Sequence, residues 1–250
     1  MYESPLRRRW ASGAPAANAW LSIPAAWPAE LLAAAGFESL TIDLQHGLID
    51  DPAALQILQA VDQRQCAVLV RLAWNEPAAI MRALDRGAAG IIAPLITTPA
   101  EVEALVAACR YPPHGMRSYG PVRLGVAHNA TSLAEVEAVP VIFPMIETAA
   151  ALDQLDTIAA CSGISGLYVG PADLSLSLGL PLPVDFANPR LRTALEAVVA
   201  ACSRHGLIAA IYADGGPVQD LAALGFRLIT IVNDGSLIQR GGMAALAALR

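Results

Sequence analysis

The sequence predicts a single (β/α)8 barrel, and three observations lead to this fold class. The chain has 250 residues, which is about the length that one such barrel takes. Short apolar runs alternate regularly with segments of helical pattern. The runs are continuously apolar, which is typical of parallel strands covered on both faces. Because no linker separates these units, we expect one domain over 1–250, with the barrel core at about 20–245.

The apolar runs are the expected strands of the barrel. Strands also alternate with helices in an open, doubly wound sheet, but eight such repeats favour closure into a barrel. In chain order the runs are 20–23, 40–44, 67–72, 90–95, 141–146, 166–169, 207–212 and 227–232.

Capping residues mark the segments between the runs. Asp51, Asn75, Thr98 and Asn188 each precede a proline, which is the usual order at the start of a helix. Thr98 and Glu101 also have the spacing of a capping box. Glycines stand where helices are expected to end, at Gly36, Gly87, Gly206 and Gly225. The expected helices lie near 28–35, 52–63, 76–86, 99–109, 148–160, 189–204, 216–224 and 236–249.

The connection over 110–139 is much longer than the others. A loop of this length inside a compact domain is usually functional, so we expect a role for it beyond joining a helix to a strand.

Composition and charge exclude several classes of protein. Hydrophobic residues make up 55% of the chain, yet no uninterrupted apolar run reaches the roughly 20 residues of a membrane-spanning helix. The net charge is −6 and the basic residues are scattered, which argues against a nucleic-acid or anionic-membrane surface. The apolar excess also suits subunit contacts in a homo-oligomer. We therefore expect small molecules and further copies of the chain as partners.

Residue types and motifs that the sequence lacks exclude some catalytic mechanisms. The chain contains no lysine, so a Schiff-base mechanism is excluded. It has no Gly-x-Ser-x-Gly motif of a nucleophilic serine. Its cysteines are far apart in apolar contexts and indicate reduced thiols in a cytoplasmic protein. They are Cys66, Cys109, Cys161 and Cys202.

Ionisable residues are concentrated at the carboxyl ends of the expected strands, where barrels of this kind carry their active sites. Glu147 and Asp173 follow two neighbouring strands. Two carboxylates together favour Mg²⁺ or Mn²⁺, with substrate oxygens and water completing the coordination. The alternative is that each carboxylate only stabilises the start of a helix. The backbone N–H groups of 170–175 could hold a carboxylate or phosphate, or form an ordinary turn.

Arg71 and His46 are the other candidates at this end of the barrel. An arginine at the end of a buried strand needs an anionic partner, which could be Asp43, a substrate oxygen, or both. A lone histidine is more often structural, but Asp43 and Arg71 nearby favour acid–base catalysis by His46. The remaining histidines are expected on the surface or in loops, at His114, His128 and His205.

Six short motifs together resemble the HpcH/HpaI aldolase family. They are 37–47 with its Asp43-Leu44-Gln45-His46, Val70-Arg71, 84–88 with Asp85, 110–117, Ile146-Glu147-Thr148, and 170–174. The resemblance extends from about Trp20 to Ala245 and is specific because order and spacing agree throughout.

The resemblance implies roles for the matching residues. Glu147 and Asp173 would bind the divalent metal, Mg²⁺ or Mn²⁺, with Co²⁺ or Zn²⁺ as further options. The backbone N–H groups of Ala172 and Asp173 would hold the pyruvate carboxylate. Arg71 would stabilise the enolate oxygen, and His46 would act through a water molecule as the base for the C4 hydroxyl, with Asp43 beside it.

Asp85 resembles the family's aspartate that reaches a histidine of the neighbouring subunit. This role implies a trimer-based hexamer with active sites at subunit interfaces. The alternative is a salt bridge at the end of a helix, with Arg82 or Arg86.

Two departures from the family pattern concern substrate polarity. Gln45 stands where many members have glutamate, and Met145 stands where dicarboxylate-cleaving members have glutamine; both are expected to border the metal and the substrate. Arg117 and Arg123 could bind a distal acid group of the aldehyde, or could anchor their loop.

The resemblance implies a class II aldolase, a carbon–carbon lyase that cleaves 4-hydroxy-2-oxo acids to pyruvate and an aldehyde. Substrates of the 4-hydroxy-2-oxoheptanedioate or 2-dehydro-3-deoxy-glucarate type are expected. One alternative is decarboxylation of oxaloacetate through the same enolate. The other is a non-catalytic barrel that binds pyruvate or another oxo acid.

Overall fold

The computed structural model describes residues 4–249 and confirms the predicted fold class. Eight strands form a closed barrel in sequence order. All neighbouring strands are parallel, and the last pairs with the first. The strands are β1 (Ala16–Leu21), β2 (Ser39–Asp43), β3 (Ala67–Arg71), β4 (Gly90–Ala93), β5 (Val141–Ile146), β6 (Gly166–Val169), β7 (Ile208–Tyr212) and β8 (Leu228–Asn233).

The first strand was predicted too late in the chain, because it begins at Ala16 and ends at Leu21. Its apolar run is interrupted by Asn18, which is fully buried in the barrel. The Asn18 amide oxygen accepts hydrogen bonds from Ser39 Oγ at 2.8 Å and Thr41 Oγ1 at 3.1 Å, and its NH2 group donates to Thr230 Oγ1 at 2.7 Å. These partners lie on β2 and β8, so Asn18 forms all of these hydrogen bonds only when the barrel is closed. In the sequence, the same residue interrupts the apolar pattern of the strand.

Every predicted helical segment contains a helix. The segment at 148–160 is divided into two short helices, and four further short helices occur in the described residues. The helices are α1 (Pro5–Ala11), α2 (Ala26–Ala34), α3 (Asp51–Ala60), α4 (Pro77–Asp85), α5 (Pro99–Cys109), α6 (Leu124–His128), α7 (Leu133–Ala138), α8 (Ala149–Asp153), α9 (Leu155–Ala159), α10 (Pro171–Ser177), α11 (Pro189–His205), α12 (Val218–Leu224) and α13 (Asp234–Ala247).

Two of the four predicted helix caps are confirmed. The Thr98 side chain accepts from the Glu101 N–H in a complete capping box, and Asn188 caps α11. The prediction for Asp51 was wrong by one residue, because Asp50 accepts the N–H of α3. Asn75 does not cap α4, since its amide donates to a backbone carbonyl of α5. All four predicted helix-end glycines have positive φ.

Aromatic rings fill part of the barrel interior. Trp20 and Tyr168 have ring centroids 5.8 Å apart, and Tyr168 packs edge-on against Phe143. Gly90 allows Val141 to pack closely in the same interior, because a Cβ there would lie 2.5 Å from Val141 Cγ2. The interior is therefore a filled core, and the open end above it is where a ligand can enter.

No helix between residues 4 and 249 is both long and apolar enough to cross a bilayer. All four cysteines are free thiols; Cys66, Cys109 and Cys202 are buried, whereas Cys161 is partly exposed. Burial raises the pKa of the Cys66 thiol to about 12.

Replacing Gly90 with alanine should destabilise the barrel, because the new Cβ would collide with Val141 and Leu69. Overpacking a filled core costs about 1–3 kcal/mol. Gly241 in α13 is the matched control, since a Cβ there meets nothing within 4 Å and alanine favours helix by up to about 1 kcal/mol. Denaturant unfolding measures both variants. Equal effects of the two substitutions would contradict the close packing at Gly90.

Candidate active site

A cavity of about 300 Å³ opens at the carboxyl ends of the strands. Seven of the nine predicted site residues line it, from β2, β3, β5 and the β6–α10 turn; the exceptions are Asp85 and Arg117. The structure thus brings together the residues that the strand-end argument selected, which are Asp43, His46, Arg71, Glu147 and Asp173. Ala172 and Met145, which the family resemblance added, line the same cavity.

A buried ion pair joins the ends of β2 and β3. Arg71 donates from Nε to Asp43 Oδ1 at 2.9 Å and from its terminal NH2 group to Oδ2 at 2.6 Å. Only 9% of the Arg71 side chain and 4% of the Asp43 side chain are exposed. This two-point contact fixes both the position and the plane of the guanidinium group. Asp43 is therefore the partner of Arg71, one of the two options that the sequence left open.

Asp43 also organises its surroundings. Trp20 donates its indole N–H to Oδ2 at 3.0 Å, and the backbone N–H groups of Gln45 and His46 donate to Oδ1. Burial alone would raise the pKa of Asp43, but the hydrogen bonds and charge of Arg71, with the N–H groups of Trp20 and His46, hold that pKa below its ordinary value. The carboxylate therefore stays ionised and fully occupied by N–H donors.

Glu147 is the second buried carboxylate of the cavity, with 2% of its surface exposed. Its Oε1 accepts from the backbone N–H of Leu95 at 2.6 Å. Leu95 has a φ of 55°, an uncommon conformation for a non-glycine residue, and this turn directs its N–H to Glu147. Burial raises the pKa of Glu147, and the nearby negative charge of Asp173 raises it further.

Asp173 lies in the first turn of α10, on the neighbouring strand end, and is exposed in the single chain. Gly170 allows Glu147 to approach this turn, because a Cβ on Gly170 would lie 2.4 Å from Glu147 Oε2. Arg71 offsets part of the charge of this pair of carboxylates, but its own two hydrogen bonds go to Asp43. The pair therefore fits a divalent metal ion, and the remaining ligands would come from substrate and water.

The protein itself offers few metal ligands at this point. Among residues 4–249, no group of three or more His, Cys, Asp or Glu side chains could surround a metal ion. A metal ion held by Glu147 and Asp173 would therefore take its remaining ligands from water or substrate oxygens.

His46 follows β2 in the turn that Asp43 holds through two backbone N–H groups. Its side chain lines the cavity and is exposed in the single chain. The neighbouring Gln45 has a buried Oε1 with no hydrogen-bond partner among the described residues. The turn is therefore positioned by its backbone, which leaves the imidazole free to meet a substrate or another subunit.

Asp85 and Arg117 lie away from the cavity and pair with each other at 2.7 Å. Arg117 has a fully buried side chain, and its guanidinium stacks 4.7 Å above the Tyr111 ring. The expected helix-end partners of Asp85 were wrong, because Arg82 and Arg86 both pair with Asp51 instead. Arg117 does not line the cavity of its own chain, and its contacts with Asp85 and Tyr111 are those expected of a loop anchor.

The long connection over 110–139 is folded against the end of α4. Arg123 donates to the Arg86 carbonyl at 3.0 Å, so it is a loop anchor as well. His128 was expected on the surface or in a loop, which was wrong: it ends α6 and is fully buried, and its Nε2 lies 3.0 Å from the Gly87 carbonyl. Burial lowers its pKa to about 4. The short helix α6, which no sequence pattern indicated, turns this histidine inward.

Four cavity residues were missed by the sequence analysis: Trp20, Ser22, Tyr212 and Asn233. They lie at or just beyond the ends of β1, β7 and β8. Trp20 and Tyr212 pack edge-to-face with centroids 5.3 Å apart. The strand-end argument would have found them, but it was applied only to ionisable residues.

The chain matches the family model described as HpcH/HpaI aldolase/citrate lyase over residues 18–240. It is 34% identical over 249 residues to a hydroxypyruvate/pyruvate aldolase of Rhizorhabdus wittichii, covering 98% of each chain. It is 30% identical to a 4-hydroxy-2-oxo-heptane-1,7-dioate aldolase of Salmonella paratyphi C, covering 94% of this chain and 90% of the relative. The crystal structure of an HpcH/HpaI aldolase/citrate lyase family protein from Burkholderia cenocepacia superposes with a TM-score of 0.90, at 32% identity, over 99% of this chain and 100% of the other.

Removing the partner of Arg71 should destabilise the protein strongly. Asp43→Ala leaves a buried guanidinium without its counter-ion, which costs about 3 kcal/mol. The control is Glu196→Ala, which breaks an exposed pair with Arg192 on α11 and should cost no more than about 0.5 kcal/mol. Denaturant unfolding at neutral pH measures both, and similar losses would contradict a special role for Asp43.

The stability difference between wild type and Asp43→Ala should depend on pH. Because the folded-state pKa of Asp43 is lowered, its contribution is complete above the unfolded-state pKa of about 3.9. The contribution is lost as the pH falls through the lower folded-state pKa. Unfolding curves between neutral and strongly acidic pH should therefore converge only at the acidic end. Convergence already at neutral pH would contradict the ionised state of Asp43.

Proposed function

Because the chain belongs to the HpcH/HpaI aldolase/citrate lyase family, we propose that it is a divalent-metal-dependent aldolase acting on 4-hydroxy-2-oxo acids. The observation that carries this proposal is the buried Glu147 beside Asp173, in the same cavity as a fixed Arg71. Cleavage of such an acid yields pyruvate, or a close analogue, and an aldehyde. The reverse reaction joins them.

The first requirement of this chemistry is a site for the 2-oxo acid. Glu147 and Asp173 would hold Mg²⁺ or Mn²⁺, which when bound supplies positive charge to stabilise the enolate. The backbone N–H groups of Ala172 and Asp173 lie in the first turn of α10, where peptide dipoles favour an anion. They would orient the substrate carboxylate next to the two acidic side chains.

The second requirement is a donor for the oxygen on which negative charge develops. Arg71 is held by Asp43 in one orientation, so little reorganisation is needed when the charge appears. Trp20 lies beneath it, 4.9 Å from the guanidinium carbon to the ring centroid. Arg71 thus acts as a preorganised electrophilic group, and Asp43 acts through it as a positioning residue.

The third requirement is a base. In the cleavage direction, His46 would take the proton of the C4 hydroxyl, directly or through a water molecule. The C3–C4 bond then breaks, its electron pair becomes the enolate of pyruvate, and the aldehyde leaves. Protonation at C3 completes the reaction. His46 is suited to this role because it lines the cavity with an exposed imidazole on a backbone-fixed turn.

The proposal includes a homo-oligomer, the trimer-based hexamer of the family. In the single chain Asp85 is away from the cavity, so a catalytic role for it requires a second copy. Its side chain remains 27% exposed despite the contact with Arg117, which leaves it accessible to the histidine of a neighbouring subunit.

Exchange of the C3 protons of pyruvate in deuterium oxide tests enolate formation without any aldehyde. We expect exchange by NMR with Mn²⁺ or Mg²⁺, and its loss after treatment with EDTA. Glu147→Ala should slow exchange by roughly 100-fold or more, because the metal site and its charge are lost. The control, Glu196→Ala, changes only an exposed carboxylate on α11 and should exchange normally. Absence of exchange in the wild type with either metal would refute the aldolase proposal.

A further inference from the structure

The cavity has one side that carries no ionised group. Ser22, Trp20, Tyr212 and Asn233 form this side, which we call the neutral wall. The charged residues come from β2, β3, β5 and the β6–α10 turn, whereas the neutral wall comes from β7, β8 and β1. Among the described residues that line the cavity, Arg71 is the only arginine, and Asp43 already occupies it.

This division bears on the aldehyde, given the proposed aldolase function. The oxo-acid end of the substrate is directed to Glu147, Asp173 and the start of α10, and the reacting oxygens to Arg71. What remains of the cavity for the substituent of the aldehyde is the neutral wall. A carboxylate there would lose water and meet no unpaired arginine, because Arg71 is held by Asp43 and Arg240, whose charge reaches Tyr212, pairs with Asp214 at 3.0 Å. It would also lie in the same cavity as three acidic residues.

Tyr212 is the fixed donor of the neutral wall. Its ring packs edge-to-face on Trp20, and Trp20 is itself held by the hydrogen bond to Asp43. Burial raises the pKa of Tyr212 to about 12, and the charge of Asp214 raises it too. The phenol therefore keeps its proton at any working pH and can donate a hydrogen bond to a neutral oxygen.

Asn233 is positioned as a second donor. Its Oδ1 caps α13 by accepting from the N–H groups of Gly235 at 3.0 Å and Ser236 at 3.2 Å. The amide oxygen is thus engaged in holding the helix start, which leaves the NH2 group as the part of the side chain with donors to offer to a ligand.

We infer that the neutral wall selects a small, uncharged aldehyde that carries a hydroxyl group, with Tyr212 as the specificity-determining residue. The hydroxyl of the aldehyde accepts a hydrogen bond from the Tyr212 O–H. An aldehyde with a second carboxylate is disfavoured for want of a cation, and an aldehyde without the hydroxyl leaves the phenol unpaired.

The test compares three aldehydes with pyruvate and Mn²⁺, using the full-length protein: glycolaldehyde, acetaldehyde and succinic semialdehyde. Wild type should show the highest kcat/KM with glycolaldehyde. Tyr212→Phe keeps the ring on Trp20 and removes only the hydroxyl. It should lower kcat/KM for glycolaldehyde about 5- to 10-fold and change that for acetaldehyde less than about twofold. Tyr119→Phe is the control, because Tyr119 is 75% exposed and outside the cavity.

Exchange of the pyruvate C3 protons, measured on the same samples, separates the possible failures. Unchanged exchange in Tyr212→Phe shows that the variant is folded and that the oxo-acid end is intact. With exchange intact, an equal effect on glycolaldehyde and acetaldehyde, no effect on either, or a preference of the wild type for succinic semialdehyde overturns the inference alone. Loss of exchange in the wild type overturns the proposed function, and this inference with it.

Discussion

The buried ion pair between Asp43 and Arg71 is the interaction on which the rest of the cavity depends. The Asp43 carboxylate accepts hydrogen bonds from Nε and the NH2 group of Arg71 and from the Trp20 indole N–H. It also accepts from two backbone N–H groups of the turn that carries His46. Such a pair is a poor source of net stability, because both charges are removed from water. Its value is geometric, because it fixes the Arg71 guanidinium, the Trp20 ring and the turn that carries His46 relative to one another.

The order of strands in the closed barrel then distributes the chemistry around the cavity. Glu147 and the Gly170–Asp173 turn lie on adjacent strands, and Gly170 has no Cβ to keep the two carboxylates apart. Burial and the negative charge of Asp173 raise the pKa of Glu147, and a cation bound at this side of the cavity would offset that repulsion. The side formed by β7, β8 and β1 is neutral and aromatic. The ionised residues and the neutral residues of the cavity therefore lie on different parts of one circular arrangement of strands.

Much of the fold could be predicted from the sequence, since continuous apolar runs and proline-marked helix starts are local signals. The strand-end rule also selected five residues that the structure brings into one cavity, and the family resemblance added two more. The errors arose where the deciding contact is distant in sequence. Asn18 interrupts the apolar pattern of β1, and its hydrogen-bond partners lie on β2 and β8. The buried His128 ring contacts the carbonyl of Gly87, 41 residues earlier in the chain. Arg117 pairs with Asp85, which is 32 residues away, and no local pattern indicates that choice.

The central claim is that Glu147 and Asp173 form a metal site at which a 2-oxo acid binds. Titration with Mn²⁺, followed by electron paramagnetic resonance, measures this directly. We expect binding that weakens at least about tenfold in Asp173→Asn, and a Mn²⁺ spectrum that changes when pyruvate is added to the wild type. Equal affinity in the variant and the wild type, or a spectrum that does not respond to pyruvate, would contradict the account.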